Sequence, residues 1–212
     1  MGILDLLFPD KCVFCGKLTD KSRVCEKCCD ALPETTGKRT AKSGEFFNEC
    51  IAPFYYLGIV RDSILRFKFH GKASYAQVYA RYCSALIRER LSGKFDIITW
   101  VPVSRRRKRK RRYDQAELLA KAISFELGVP CVKTLKKIRH TPPQSTFTEA
   151  ARRRANVSGA FRWNGNEIQE KRILLIDDII TTGATMSECA RVLLMAGAED
   201  VLACTVAMKK NS

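Results

Sequence analysis

The stretch from Arg172 to Thr185, RILLIDDIITTGAT, constrains the fold more than any other part of the chain. It begins as an unbroken apolar run, Ile173 to Ile176, the pattern of a strand buried on both faces in a parallel sheet. Two adjacent carboxylates follow, Asp177 and Asp178, and then a small hydroxyl-rich loop. From Ala184 the period changes. Met186, Cys189, Ala190 and Leu193 fall on one helical face, and Gly197 stops the helix. The order is therefore strand, acidic pair, tight loop, helix start.

That order has a chemical meaning. A helix start offers unpaired N–H groups and partial positive charge, so an anion settles there. Gly183 and Ala184 let a phosphate approach the backbone, and Thr181, Thr182 and Thr185 supply hydroxyl donors. Each helix-end charge interaction is worth roughly 0.3–1 kcal/mol when exposed, so several donors must act together. Asp177 and Asp178 stand just before this loop, placed to accept hydrogen bonds from sugar hydroxyls. A ribose 5-phosphate satisfies the layout.

The rest of the chain predicts a sheet around this strand. Phe54 to Leu57 reads as a strand, and Val60 to Phe69 as a helix with Ile64, Leu65 and Phe69 inward. A basic turn, Lys68 to Lys72, precedes a second helix from Tyr75 to Leu91. Asp96 to Val103 is another buried strand, ending in a loop at Pro102 and Ser104. Eight consecutive cations, Arg105 to Arg112, are expected as an exposed, mobile loop because like charges repel. Asp114 caps the next helix, Glu117 completes a capping box, and Leu118, Leu119, Ala122 and Phe125 form its apolar face. Residues 131–135 read as a strand, residues from Lys136 to Phe161 as a long loop, and Asp200 to Ala207 as the last buried strand. Strands alternating with helices imply a parallel sheet with helices on both faces. Ligands of such folds bind beyond the C-terminal strand ends, where the acidic pair lies.

Ahead of this α/β domain, expected over residues 51–212, residues 1–50 read as a small metal module and a polar linker (34–50). Cys12-x2-Cys15 and Cys25-x2-Cys28 are two pairs with the spacing of a four-thiolate zinc site. Spacing favours Cys28 over the adjacent Cys29 as the fourth ligand. Such a site is closed, so its role is folding: so short a segment has no core of its own. The other cysteines, such as Cys83, Cys131, Cys189 and Cys204, sit in apolar segments and read as small core residues.

The net charge is +16, and it is uneven. Residues 1–50 hold eight Lys/Arg and eight Asp/Glu, whereas residues 101–154 hold sixteen against four. The surplus marks a patch for polyanions. Arg106, Arg107, Lys108, Arg109, Lys110, Arg111 and Arg112 are candidates to track a single strand of nucleic acid, with Tyr113, Trp100 or Phe147 stacking on bases. The alternatives are a solvated loop or contact with pyrophosphate alone. No apolar run approaches the roughly 18–20 residues of a membrane helix. Met1 to Phe8 lacks the features of a signal peptide. The expectation is a cytoplasmic protein with no membrane insertion.

LLIDDIITTGAT resembles the phosphoribosyl pyrophosphate (PRPP) signature of the type I phosphoribosyltransferases. The N-terminal cysteine module, the Val-Pro-Val loop with its basic residues, Arg111 to Ala120, the Arg139…Thr141…Gln144 group and Arg153…Asn156…Phe161 extend the likeness. Together they resemble the ComF family, phosphoribosyltransferase-like proteins linked to DNA uptake in natural competence. The resemblance implies the type I phosphoribosyltransferase fold and PRPP bound with Mg2+. Asp177 and Asp178 would hold the ribose hydroxyls, and residues 181–185 the 5-phosphate. Val103, Ser104 and Arg105 would meet the pyrophosphate, with Arg139 or Arg153 as a lid cation. It implies single-stranded DNA and a DNA-uptake helicase of the same pathway as partners. The alternative is an active transferase moving phosphoribose to a base or ammonia; no catalytic base announces itself, since Thr181 stands where purine salvage enzymes often carry Asp. One departure concerns Arg112, which stands where the family usually has Gly.

Overall fold

The computed structural model describes residues 10–19, 22–35, 41–141 and 155–210. Met1–Phe8, Gln144, Phe147 and Arg153 lie outside them.

The main sheet is ordered around β7 (Arg172–Ile180) and β8 (Asp200–Met208). Parallel to them run β4 (Ile97–Trp100) beside β7, and β2 (Phe47–Ile51) and β3 (Phe54–Tyr55) beside β8. β1 (Lys42–Gly44) closes the edge antiparallel to β2. A separate two-stranded sheet pairs β5 (Leu135–Lys137) with β6 (Phe161–Trp163). The helices are α1 (Glu26–Asp30), α2 (Gly58–Phe69), α3 (Tyr75–Arg90), α4 (Arg105–Arg111), α5 (Gln115–Leu127) and α6 (Ala184–Met195).

Alternation along β7 divides the core. Leu174 and Ile176 pack with α2, α3 and α5 on one face. Ile173 and Leu175 pack with Met186, Cys189, Ala190 and Leu193 of α6 on the other. β7 thus lies between two cores, as its apolar run requires.

The zinc module docks on the first of these cores. Phe14 is 1% exposed and stacks edge-on against Phe54 at 5.8 Å, with Tyr79 and Tyr82 beside it. Ser63 of α2 donates to the Val13 carbonyl, and Arg66 donates to Val13 O and Phe14 O at 3.1 and 2.6 Å.

Several expectations are corrected. Residues 42–51, most of them in the expected linker, form the β1–β2 hairpin, because Phe47, Cys50 and Ile51 bury themselves in the sheet. Phe69 is 56% exposed; the inward set of α2 is Val60, Ser63, Ile64 and Phe67. In α5 the buried face is Gln115, Ala116, Leu119, Ala120 and Ile123, while Phe125 is 89% exposed. Small residues face inward there because α5 packs closely on α3 and on β7. The strand expected over 131–135 begins only at Leu135, as β5, and β5 and β6 overlap the two ends of the expected 136–161 loop.

The basic run is not a loop from Arg105 to Arg111 but the helix α4. Ser104 caps it, accepting a hydrogen bond from Arg107 N. A helix fans successive cations around its axis, and Lys108 finds Glu117 at 2.8 Å. Arg112 ends α4 with φ 69°, in the left-handed region, a conformation that glycine adopts without steric cost. Replacing Arg112 by Gly relieves this strain, and we expect Arg112→Gly to raise stability by about 0.5–1 kcal/mol, read as a higher denaturant midpoint at unchanged slope.

Candidate functional site

The C-terminal ends of β7 and β4 open into a cavity of about 640 Å³. Its floor is Asp177 to Ile180, followed by the loop Thr181, Thr182 and Gly183 and the first residues of α6, Ala184, Thr185 and Met186. Gly183 occupies the N-cap with φ 78°, the left-handed region that glycine adopts without steric cost, with the Phe47 ring within ordinary contact distance of its open side. Glycine therefore keeps the loop low at the helix start.

The strand's alternation sends the two carboxylates different ways. Asp178 meets Lys68 of α2 in an ion pair of 3.0 Å, with both side chains largely buried. Asp177 accepts the Asp178 backbone N–H at 2.8 Å. Burial, reinforced by the neighbouring Asp178 charge, pushes the Asp177 carboxyl well above the ordinary carboxylate range, against the pull of Lys68.

The remaining wall is cationic. Lys68, Arg106, Arg107, Lys110, Arg111 and Lys137 line the same cavity as the two acids. Arg107 is half-buried and donates to Thr141 O at 2.9 Å; burial, then Arg111, lowers its pKa. Lys137 packs over the Phe161 ring at 4.7 Å, and burial, then Arg107, lowers its pKa to about 8. Asp114, 4% exposed, ties the wall together. One of its oxygens accepts Val103 N at 2.9 Å and the other caps α5 at Glu117 N. Glu117 itself pairs with Lys108 and Lys121.

The structure brings some nominated residues together and leaves others apart. Asp177, Asp178, residues 181–185, Val103, Arg106, Arg107, Lys110 and Arg111 share the cavity. Ser104 contacts His140 Nδ1 at 3.0 Å, and His140 is in the wall. Arg105, Arg109 and Arg112 are exposed and lie outside the wall. Arg139 is directed to the Asn156 and Ser158 carbonyls at 3.2 and 2.7 Å rather than to the cavity. Trp100 is buried in β4. Tyr113 is half-buried, its hydroxyl donating to Phe67 O. Sequence reasoning missed Lys68, Lys137 and His140 as wall residues. For Lys68 a faint signal existed, the basic turn after the first helix.

In the N-terminal module the Sγ atoms of Cys12, Cys15, Cys25 and Cys28 lie within 4.8 Å of one another. Zn–S bonds of about 2.3 Å in a tetrahedron imply S–S edges of roughly 3.8 Å. Cys15 and Cys25 stand at 3.7 Å, so the thiolates fit zinc, and Cys28 rather than Cys29 completes the set. Four thiolates leave no open position, so the metal's role is structural.

Residues 113–212 match the phosphoribosyl transferase domain family, and residues 3–53 the double zinc ribbon domain family. The chain is 30% identical over 154 residues to competence protein F of Haemophilus influenzae, covering 69% of this chain and 67% of that protein. It is 32% identical over 141 residues to the DNA utilization protein YhgH of Salmonella typhimurium, covering 63% and 60%. Among solved structures it overlays on the glutamine PRPP amidotransferase of B. subtilis with a TM-score of 0.41 and 20% identity, covering 60% of this chain and 26% of that one. That last likeness is too distant to say anything of chemistry. Among the described residues, no helix is long and apolar enough to cross a membrane.

The state of Asp177 is visible in stability. Its raised carboxyl means that folding disfavours the ionised form, so the free chain loses stability as pH climbs from about 4 toward the raised value. Asp177→Asn lacks that penalty. We expect it to stabilise the ligand-free chain at pH 7 by roughly 1–2 kcal/mol, as functional-site substitutions do, with a smaller gain at pH 5 in paired denaturant titrations.

Proposed function

The chain belongs to the ComF family, and from that premise we propose that it binds PRPP in the cavity at the end of β7 and handles single-stranded DNA during uptake. Its fold is the type I phosphoribosyltransferase-like one, preceded by a zinc ribbon. The observation that carries the reading is one cavity joining paired acids, a helix-start loop and six cations.

Each part has a task. Asp177 and Asp178 accept the ribose 2- and 3-hydroxyls. Thr181 to Thr185 hold the 5-phosphate at the start of α6. Lys68, Arg107 and Lys137 face the pyrophosphate beside Val103 and Ser104. Among the described residues these cations meet two carboxylates in the wall, so a polyanion relieves their mutual repulsion as it binds. Mg2+ fits this donor set, carboxylates beside substrate phosphates, and would neutralise pyrophosphate charge. Lys68 exchanges its partner Asp178 for ligand oxygens, freeing the acid for the sugar.

Binding without turnover agrees best with Thr181 in place of an acidic base. The wall that continues along α4, through Arg106 and Lys110, carries the DNA phosphates, with the exposed Arg105, Arg109 and Arg112 beyond it. The similarity to a DNA utilization protein supports this part. The protein acts in the cytoplasm beside an uptake helicase. The division we propose falls at residue 50, with a zinc-binding module and linker over 1–50 and the PRPP-binding domain over 51–212; β1 and most of β2 lie before that boundary but join the main sheet.

Calorimetry with PRPP and Mg2+ tests the site. Binding should weaken at least tenfold in Asp178→Asn, and mutant-insensitive binding would remove the acids from the site. Pyrophosphate release with an added nucleobase, abolished by the same substitution, would replace this reading with active transfer. For DNA, about five phosphate contacts, from Arg105, Arg106, Arg109, Lys110 and Arg112, predict a slope of roughly −3 to −4 in log affinity against log salt. A flat response in filter binding would discard the DNA role.

A further inference from the structure

Two of the aromatic residues that sequence nominates for base stacking, Trp100 and Tyr113, do not serve it. Trp100 is 5% exposed inside β4. The Tyr113 ring packs on Phe67 at 5.9 Å, and its hydroxyl is held by the Phe67 carbonyl. Phe147 lies outside the described residues. The cavity wall instead presents Tyr56, which is half-buried, and Phe69, which is 56% exposed.

Phe69 is the last residue of α2, next to Lys68. The Arg111 guanidinium lies over its ring, 4.9 Å from the centroid. Arg111 is itself fixed, donating to Gln115 Oε1 at 2.9 Å. The ring is therefore oriented, yet more than half of it meets solvent. Helix periodicity would turn this position inward, but the chain leaves it at the rim of a polycationic cavity. Arg106 and Lys110 stand in the same wall, where a sugar-phosphate backbone would pass.

We propose that Phe69, backed by Arg111, is the platform on which a nucleobase stacks at the mouth of the cavity. Every base has a π-face, so the platform is sequence-tolerant. The guanidinium on the ring adds a cation–π contact that keeps the aromatic plane from rotating away. The base comes from a single DNA strand, which rests on the DNA role proposed above, or from a free nucleobase beside bound PRPP; the chemistry recognised is the same.

The test compares an oligoadenylate DNA of about ten nucleotides with an abasic strand of equal length, at one salt concentration, by fluorescence anisotropy. Phe69→Ala should weaken the base-bearing strand roughly tenfold and the abasic strand by less than about twofold. Phe69→Tyr should keep wild-type discrimination, which separates stacking from misfolding. Equal losses on both strands, or none on either, would overturn the platform. If the wild-type chain binds neither strand at low salt, the DNA role fails, and adenine with PRPP decides. Adenine binding weakened by Phe69→Ala identifies the free base as the occupant, whereas no adenine binding removes the site.

Discussion

The pairing of β7 between β4 and β8 is the constraint on which everything else in the molecule rests. Four consecutive aliphatic residues, Ile173 to Ile176, are each fully buried, and they alternate between two cores. Burying such a side chain is worth about 1.5–3 kcal/mol. A slip of one residue would move Asp177 into the apolar layer and cost more than any local contact could return. Register on both sides of β7 therefore fixes where the acids emerge, at the strand's open end, and α6 returns from that point because its own apolar stripe must cover Ile173 and Leu175.

The cavity opposes what packing alone would select. It concentrates lysines and arginines against two carboxylates, one of them disfavoured as an anion by its burial. Ion pairs such as Lys68–Asp178 only partly compensate, since desolvation offsets much of the Coulomb attraction. A site like this is stabilised when its ligand arrives, by an amount that grows with ligand concentration over the dissociation constant. Folding energy stored in the two cores keeps the charged rim assembled until then.

Much of this was legible locally. The β7 run, the acidic pair and the switch to helical spacing at Ala184 lie within one short stretch, and Met186, Cys189, Ala190 and Leu193 all face inward as that spacing requires. The paired cysteines were equally plain. What was not legible depends on distant packing. Lys68 and Lys137 reach the cavity only because α2 and β5 are delivered there by the sheet. Of the bulky residues expected on the inner face of α5, Leu119 is buried and Leu118 packs at the core's margin, but Phe125 points to solvent, because close contact with α3 selects Ala116 and Ala120. The β1–β2 hairpin hid behind polar residues, because Phe47, Cys50 and Ile51 are three apolar positions in a mostly polar stretch. In the cationic run, like-charge repulsion argues for a loop, but the Ser104 cap and the Lys108–Glu117 pair favour a helix.

Phe14 gives the zinc ribbon a meaning beyond its metal. Its ring seals an aromatic chamber built by Phe54, Tyr79 and Tyr82, and α2 grips the backbone on either side of it. The ribbon is thus a stopper rather than an ornament. A chain trimmed of it would open a greasy hole beneath the very helix that carries Lys68 and Phe69, so the wall of the cavity leans on the ribbon for its footing.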